Sequence, residues 1–168
     1  MHGLKFTLHG IDSISDWSGK ILSYLILVIS FIILFEVVCR YLLDNPTAWV
    51  HELSQYLFGT YAIMAGAYTL LYRAHVNMDV FYSRFSLRKK AVMDVFTSVF
   101  FFFWCGILLW YGSKFTAGSM WEHANSAWGP PIWEFKMMIP LAAFLIILQG
   151  LAKFVRDLHI SITGRELE

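Results

Sequence analysis

Four stretches of this chain are continuously apolar for long enough to cross a membrane. They run over 21–43, 50–72, 91–112 and 133–155, and each meets the roughly 20 helical residues that a hydrocarbon core of about 30 Å demands. Strands of a membrane barrel would alternate between lipid-facing and lumen-facing residues over about ten positions, so these unbroken runs predict helices. Their ends are soft, because Glu36 and Arg40 interrupt the first and the fourth opens among Trp133, Glu134 and Lys136. Ahead of the first span, Leu4, Phe6, Leu8, Ile11, Ile14 and Trp17 interleave with Lys5, His9, Asp12, Asp16 and Lys20. That mixture predicts a short interfacial amphipathic helix. No small-residue cleavage site follows the apolar run, which argues against a cleaved signal peptide. The expected fold is therefore an all-α membrane protein, a single membrane domain over 1–168 with four transmembrane helices.

Composition supports this pattern. Of 168 residues, 58% are hydrophobic and only 15% are charged, against about 45–50% and about 25% in a soluble domain. Aromatics make up 18%, whereas disordered chains are poor in them. Cys39 and Cys105 both lie in apolar runs, where cysteine acts as a small hydrophobe, and no disulfide framework or zinc spacing is present.

The net charge of +1 does not point to nucleic acid as a partner, but the placement of the charges is informative. Arg73, Arg84, Arg88, Lys89 and Lys90 fall in the connection after the second span. Lys5 and Lys20 precede the first, and Lys153, Arg156 and Arg165 close the chain. Besides Arg40 inside the first span, only Lys114 and Lys136 fall toward the opposite face. Basic residues near span ends are retained on the cytoplasmic side, so both termini are expected in the cytoplasm. The Arg88, Lys89, Lys90 cluster is accounted for by topology and contact with anionic phospholipid.

In the second span Glu52, Gln55, Gly59, Ala62, Gly66, Thr69 and Arg73 recur at steps of three and four, which places them on one stripe of a helix. Small and polar residues let helices approach and bond, while lipid-facing stripes are made of Leu, Ile, Val and Phe. The stripe faces protein, and the pattern leaves open whether that protein is the rest of this chain or another subunit. Glu36 and Arg40 stand four apart in the order that favours an ion pair. Glu52 follows the short turn after them, so Arg40 has two carboxylates in reach. Charges at such depth are stabilised by pairing, and the three are read as a clamp between helix ends. Trp49, Trp121, Trp128 and Trp133 collect at the outer boundary and Trp17 marks the inner one, as in an aromatic belt.

Several chemistries lack their residues. A membrane haem needs facing axial ligands, but His51 and His75 are separated along the second span by about 36 Å. His123 lies in a connection, and His2, His9 and His159 lie in the tails. No phosphate loop, nucleophile with a matching base or metal-spaced cluster is present. A self-sufficient secondary transporter would carry internal repeats and interrupted helices around a midplane site, which four plain spans do not supply. Pro140 sits near the outer end of the fourth span, where proline starts or kinks a helix.

The residues resemble a known family, the DctQ-type small membrane subunit of tripartite ATP-independent periplasmic (TRAP) transporters. The likeness rests on FEVVCRY at Phe35 to Tyr41 with Pro46, Trp49 and Glu52 after it, on GAYTLLYRAHVNMD from Gly66 to Asp79, and on Ile139, Pro140 and Leu141. His51 departs from the pattern, standing where many relatives carry an acidic residue. The resemblance implies a non-catalytic scaffold in the bacterial inner membrane, with no cofactor of its own. Its partners would be a large elevator-type subunit that carries sodium coupling, and a periplasmic substrate-binding protein that delivers an organic acid. Glu36, Arg40, Trp49 and Glu52 would then brace the outer end and Arg73, His75 and Asp79 the cytoplasmic turn, with His75 bonding locally to Asp79. A membrane anchor of a respiratory oxidoreductase is the alternative, and a self-sufficient small-molecule exporter a more remote one.

Overall fold

The computed structural model describes residues 2–72 and 85–164, with side chains from residue 6 onward except at position 87. They form helices α1 (His2–Tyr41), α2 (Val50–Leu71), α3 (Leu87–Gly118), the short α4 (Trp133–Lys136) and α5 (Met138–Thr163). Among the described residues, three helical stretches are long and apolar enough to cross a membrane: Phe6–Tyr41, Arg88–Gly118 and Trp133–Thr163. The 22 residues of α2 lack an apolar stretch of that length and are not among them.

The amphipathic segment expected as a separate helix is instead the first half of α1. Its buried positions give the reason. Leu8, Ser15, Leu22, Ile29 and Glu36 are buried at intervals of seven, and Ile11, Ser18, Leu25, Ile32 and Cys39 are half-buried or buried between them. This is a heptad seam, the pattern by which a helix keeps one edge on its neighbours over many turns. It continues across the boundary between the polar segment and the apolar run. Hydroxyls that would otherwise face apolar surroundings donate to carbonyls of the preceding turn, Ser18 to Ser15, Ser23 to Lys20 and Ser30 to Ile26, as serines in helices do. At about 1.5 Å per residue, α1 is roughly twice as long as a hydrocarbon core is thick.

The chain reverses after Tyr41 through Asp44, whose φ of 51° is left-handed, while the Asn45 amide donates to the Cys39 carbonyl at 3.0 Å. Pro46 follows and cannot continue the helix. Helix α3 has a seam of a different kind. Ala91, Ser98, Cys105, Gly112 and Ser119, all small, recur at every seventh position on its buried or half-buried edge. Small residues let helices approach closely: a Cβ on Gly112 would stand 3.1 Å from Ile139 and one on Gly150 of α5 would stand 2.4 Å from the Phe101 ring. Cys39 and Cys105 are free and buried on these seams.

Helix α5 is the centre of the assembly. It packs along α3 and α2 and touches α1, which lies mainly on α2, and Ala142, Ala143, Gln149, Gly150, Ala152, Asp157 and Ile160 are buried on it. Side-chain pairs fix the directions: Asp12 with Arg156 and Ser15 with Gln149 set α1 antiparallel to α5, while Tyr56 with Phe135 and Gly66 with Ile146 set α2 parallel to it. The break between α4 and α5 falls at Met137. Pro140 has no N–H for the Lys136 carbonyl and its ring crowds that oxygen, which interrupts the ladder there.

Candidate functional site

Among the described residues, two polar clusters, a seam along α2 and a hairpin between α3 and α4 carry polar or interaction chemistry. The first cluster closes the turn between α1 and α2. Glu36, only 9% exposed, receives Arg40 Nε at 3.1 Å and Nη2 at 2.6 Å on Oε1. On Oε2 it receives the Thr47 amide at 3.2 Å and the Thr47 hydroxyl. Glu52 takes no part, since its carboxylate accepts from the Tyr56 hydroxyl at 3.1 Å, one turn further along α2. Of the two carboxylates in reach of Arg40, the structure therefore pairs it with Glu36. Trp49 stands at the start of α2 with its ring 6.3 Å from that of Phe35, and Tyr56 stacks on Phe135 at 4.4 Å. Thr47 is the member that the sequence pattern did not mark. Its signal was its place just after Pro46, in a turn whose amides need acceptors.

The second cluster lies at the end where α1 and α3 begin and α2 and α5 finish. Gln149, 1% exposed, accepts from the Ser15 hydroxyl at 2.8 Å and donates to Asp12 at 3.0 Å. The other oxygen of Asp12 receives Arg156. Lys153 donates to Asp157 at 2.9 Å and to Asp94 of α3 at 3.0 Å. Asp16 binds Lys20 at 2.6 Å and accepts from the Tyr72 hydroxyl at 2.8 Å. Gln149, Lys153 and Arg156 with Asp157 are spaced as one stripe of a helix, so α5 reaches α1 on one side and α3 on the other. Among the described residues, no buried side-chain nitrogen or oxygen is left without a partner. The sequence marked Asp12, Asp16, Lys20, Lys153 and Arg156 only as charges near span ends and did not mark Ser15 or Gln149, and the spacing from Gln149 to Asp157 was the available signal.

The small-residue stripe of α2 divides in two. Toward the end of α2, a Cβ on Gly66 would meet Ile146 of α5 at 2.8 Å and Thr69 bonds back to the Gly66 carbonyl at 2.9 Å. Nearer the turn, Gln55 and Ala62 are exposed and a Cβ on Gly59 would meet nothing within 4 Å. The edge of α2 buried in the bundle runs instead through Val50, Ala67 and Leu70. Arg73, His75 and Asp79, expected to order the following turn, lie outside the described residues.

Opposite that end, residues between α3 and α4 form a compact hairpin. The Ala124 amide donates to Pro130 at 3.0 Å, the Ile132 amide donates to Glu122 at 3.2 Å, and Gly129 takes a φ of 60°. Lys136 holds it from below. Its ammonium donates to Ser119 and to Glu122 at 2.8 Å and lies 4.1 Å from the centre of the Phe115 ring. The Lys136 hydrogen bond, followed by that from Ser119, keeps the Glu122 carboxyl below its ordinary value. Trp121 projects from this hairpin, 93% exposed.

Long apolar helices with outward aromatic faces, held together by heptad seams and paired polar residues, define a multi-pass helical membrane protein. Within that class, residues 13–159 match the family model of the tripartite ATP-independent periplasmic transporters, DctQ component. The chain belongs to this family, as the motifs around Arg40 and Gly66 had suggested, and is a component of a tripartite transporter. No curated protein matches the chain.

Proposed function

We propose that this chain is the small permease subunit of a TRAP transporter, a non-catalytic scaffold for a large elevator-type subunit. That subunit carries sodium coupling, and the complex takes up an organic acid delivered by a periplasmic binding protein. The observation that carries the scaffold role is the use made of the polar groups inside the bundle: buried Gln149 and Glu36 and half-buried Lys153 are all committed to fastening one helix or turn of this chain to another. Family membership favours transport over an oxidoreductase anchor.

In this reading α1, α2, α3 and α5 make four crossings of the bacterial inner membrane, with both termini cytoplasmic. Three supports converge on it. Helix α2 is about 33 Å long at 1.5 Å per residue, the paired side chains set the four long helices alternately up and down, and the basic residues gather at one end. Helix α2 carries Glu52, Gln55 and several small residues where its neighbours have long apolar runs because protein, not lipid, covers it. The run of Gln55, Gly59 and Ala62, with open space beside Gly59, then meets the large subunit, while Gly66 closes the bundle. Glu36, Arg40, Trp49 and Glu52 brace the outer end, and the hairpin with Trp121 faces the binding protein's compartment.

Replacing Gly59 and Gly66 separately by leucine tests this division. Gly59→Leu should leave the melting of the isolated subunit unchanged yet reduce co-purification with the large subunit and sodium-driven uptake in proteoliposomes. Gly66→Leu should destabilise the subunit itself by about 1–3 kcal/mol through overpacking. Normal assembly and uptake with Gly59→Leu would remove the seam from the interface.

A further inference from the structure

At the start of α3 the structure carries a groove of about 490 Å³ lined by Phe85, Ser86, Arg88, Lys89, Val92 and Met93. We propose that it is a binding site for an anionic glycerophospholipid, with the phosphate diester on Arg88 and Lys89 and an acyl chain along the outward face of α3. The inference rests on α3 spanning a bilayer and not on the transport reading.

The cationic half of the site is oriented before any ligand arrives. Arg88 donates its Nε to the Ser161 carbonyl at 2.9 Å, within the last turn of α5, where helix carbonyls lack intrahelical partners. This bond fixes the guanidinium plane and leaves its terminal amino groups for a second acceptor. Planar, forked donors of this kind match phosphate oxygens. Lys89 is exposed beside it, and neither cation has a carboxylate within ion-pair distance among the described residues. Asp94, the acid nearest in sequence among the described residues, is taken by Lys153 at 3.0 Å.

The apolar half follows directly. Met93, Phe96, Phe100 and Phe103 continue from Lys89 at steps of four and three, which is one stripe of a helix, and they are 42%, 71%, 61% and 62% exposed. Cations at the mouth and an unbroken apolar track below match a molecule with one anionic head and long hydrocarbon chains. A soluble phosphate would use the first feature and leave the second unexplained.

The test is a lipid titration of the full-length chain in neutral detergent, followed by native mass spectrometry, with phosphatidylglycerol against phosphatidylcholine of the same acyl chains. Phosphatidylglycerol should bind more tightly. Each cation near an anionic membrane surface contributes about fivefold in affinity, so the Arg88→Gln, Lys89→Gln double variant should lose roughly twenty- to thirtyfold for phosphatidylglycerol and little for phosphatidylcholine. Lys114→Gln, a cation toward the other end of α3, should bind like the parent chain. Arg88→Lys keeps the charge and loses the fork, and should fall part of the way. Met93→Ser, at an exposed position, reports on the acyl track even where the double variant misfolds, and should weaken phosphatidylglycerol binding. Unchanged binding in a folded double variant, an equal loss with Lys114→Gln, or unchanged binding with Met93→Ser would each overturn the proposal. Displacement of the lipid by millimolar inorganic phosphate would show an anion site instead.

Discussion

The two polar clusters at opposite ends of the bundle are built from similar groups, yet they do different things. At the α1–α2 turn, Glu36 gathers donors from residues four and eleven positions away. At the other end, Gln149, Asp12 and Arg156 join segments more than 130 positions apart. The first cluster shapes a turn. The second fixes how α1 meets α5, because α1 touches α5 only lightly apart from it, and through Lys153 it adds a tie to α3, which already packs along α5. A buried polar group specifies more when its partner is distant in sequence, since the bond then closes a long loop and excludes other packings.

The largest test of this contrast is Gln149→Leu. It removes the acceptor of Ser15 and a donor to Asp12 in a buried position, so the full chain in detergent should lose about 1–3 kcal/mol, read as a lower melting temperature by circular dichroism. An unchanged melt would mean that the heptad seams alone hold α1 in place. Glu36→Ala should act locally. Amides of the turn from Leu42 to Trp49 should exchange roughly tenfold faster, as expected when a local opening becomes easier, while α5 keeps its protection. Equal loss of protection in α5 would make the two clusters one cooperative unit. Arg40→Ala should do less than Glu36→Ala in the same measurement, because Thr47 still donates twice to Glu36 and the Arg40 side chain is half exposed.

The smallest effect sharpens the comparison with the exposed hairpin, whose ion pair is open to water. The Glu122 carboxyl titrates below its ordinary 4.5 because of Lys136 and Ser119. Its contribution is therefore fully present above that ordinary value and is lost as pH falls through the lowered folded-state one. Acidification should change the fluorescence of Trp121 and Trp128 over that range, and Lys136→Met should shift the change toward the ordinary carboxylate value. A titration that Lys136→Met leaves unmoved would exclude this pair as its cause.

The sequence by itself determined the class of this protein and its family. Long uninterrupted apolar runs can only be helices in lipid, where the backbone must satisfy its own hydrogen bonds, and the motifs around Arg40 and Gly66 pointed to the family. The ion pair of Glu36 with Arg40 was also legible, because residues four apart on a helix are neighbours whatever surrounds them. Three outcomes needed the tertiary structure. Helix α1 is continuous because its buried heptad runs from Leu8 to Cys39, and a polar segment reads as interfacial until the partners of Asp12 and Ser15 on α5 are known. The α2 stripe divides between Gly66 and Gly59 because only the position of Ile146 tells which part is covered. The network around Gln149 was hidden for the same reason. Periodicity states which residues share a face, but which face meets which neighbour depends on contacts between distant segments, and these exist only once the helices have packed.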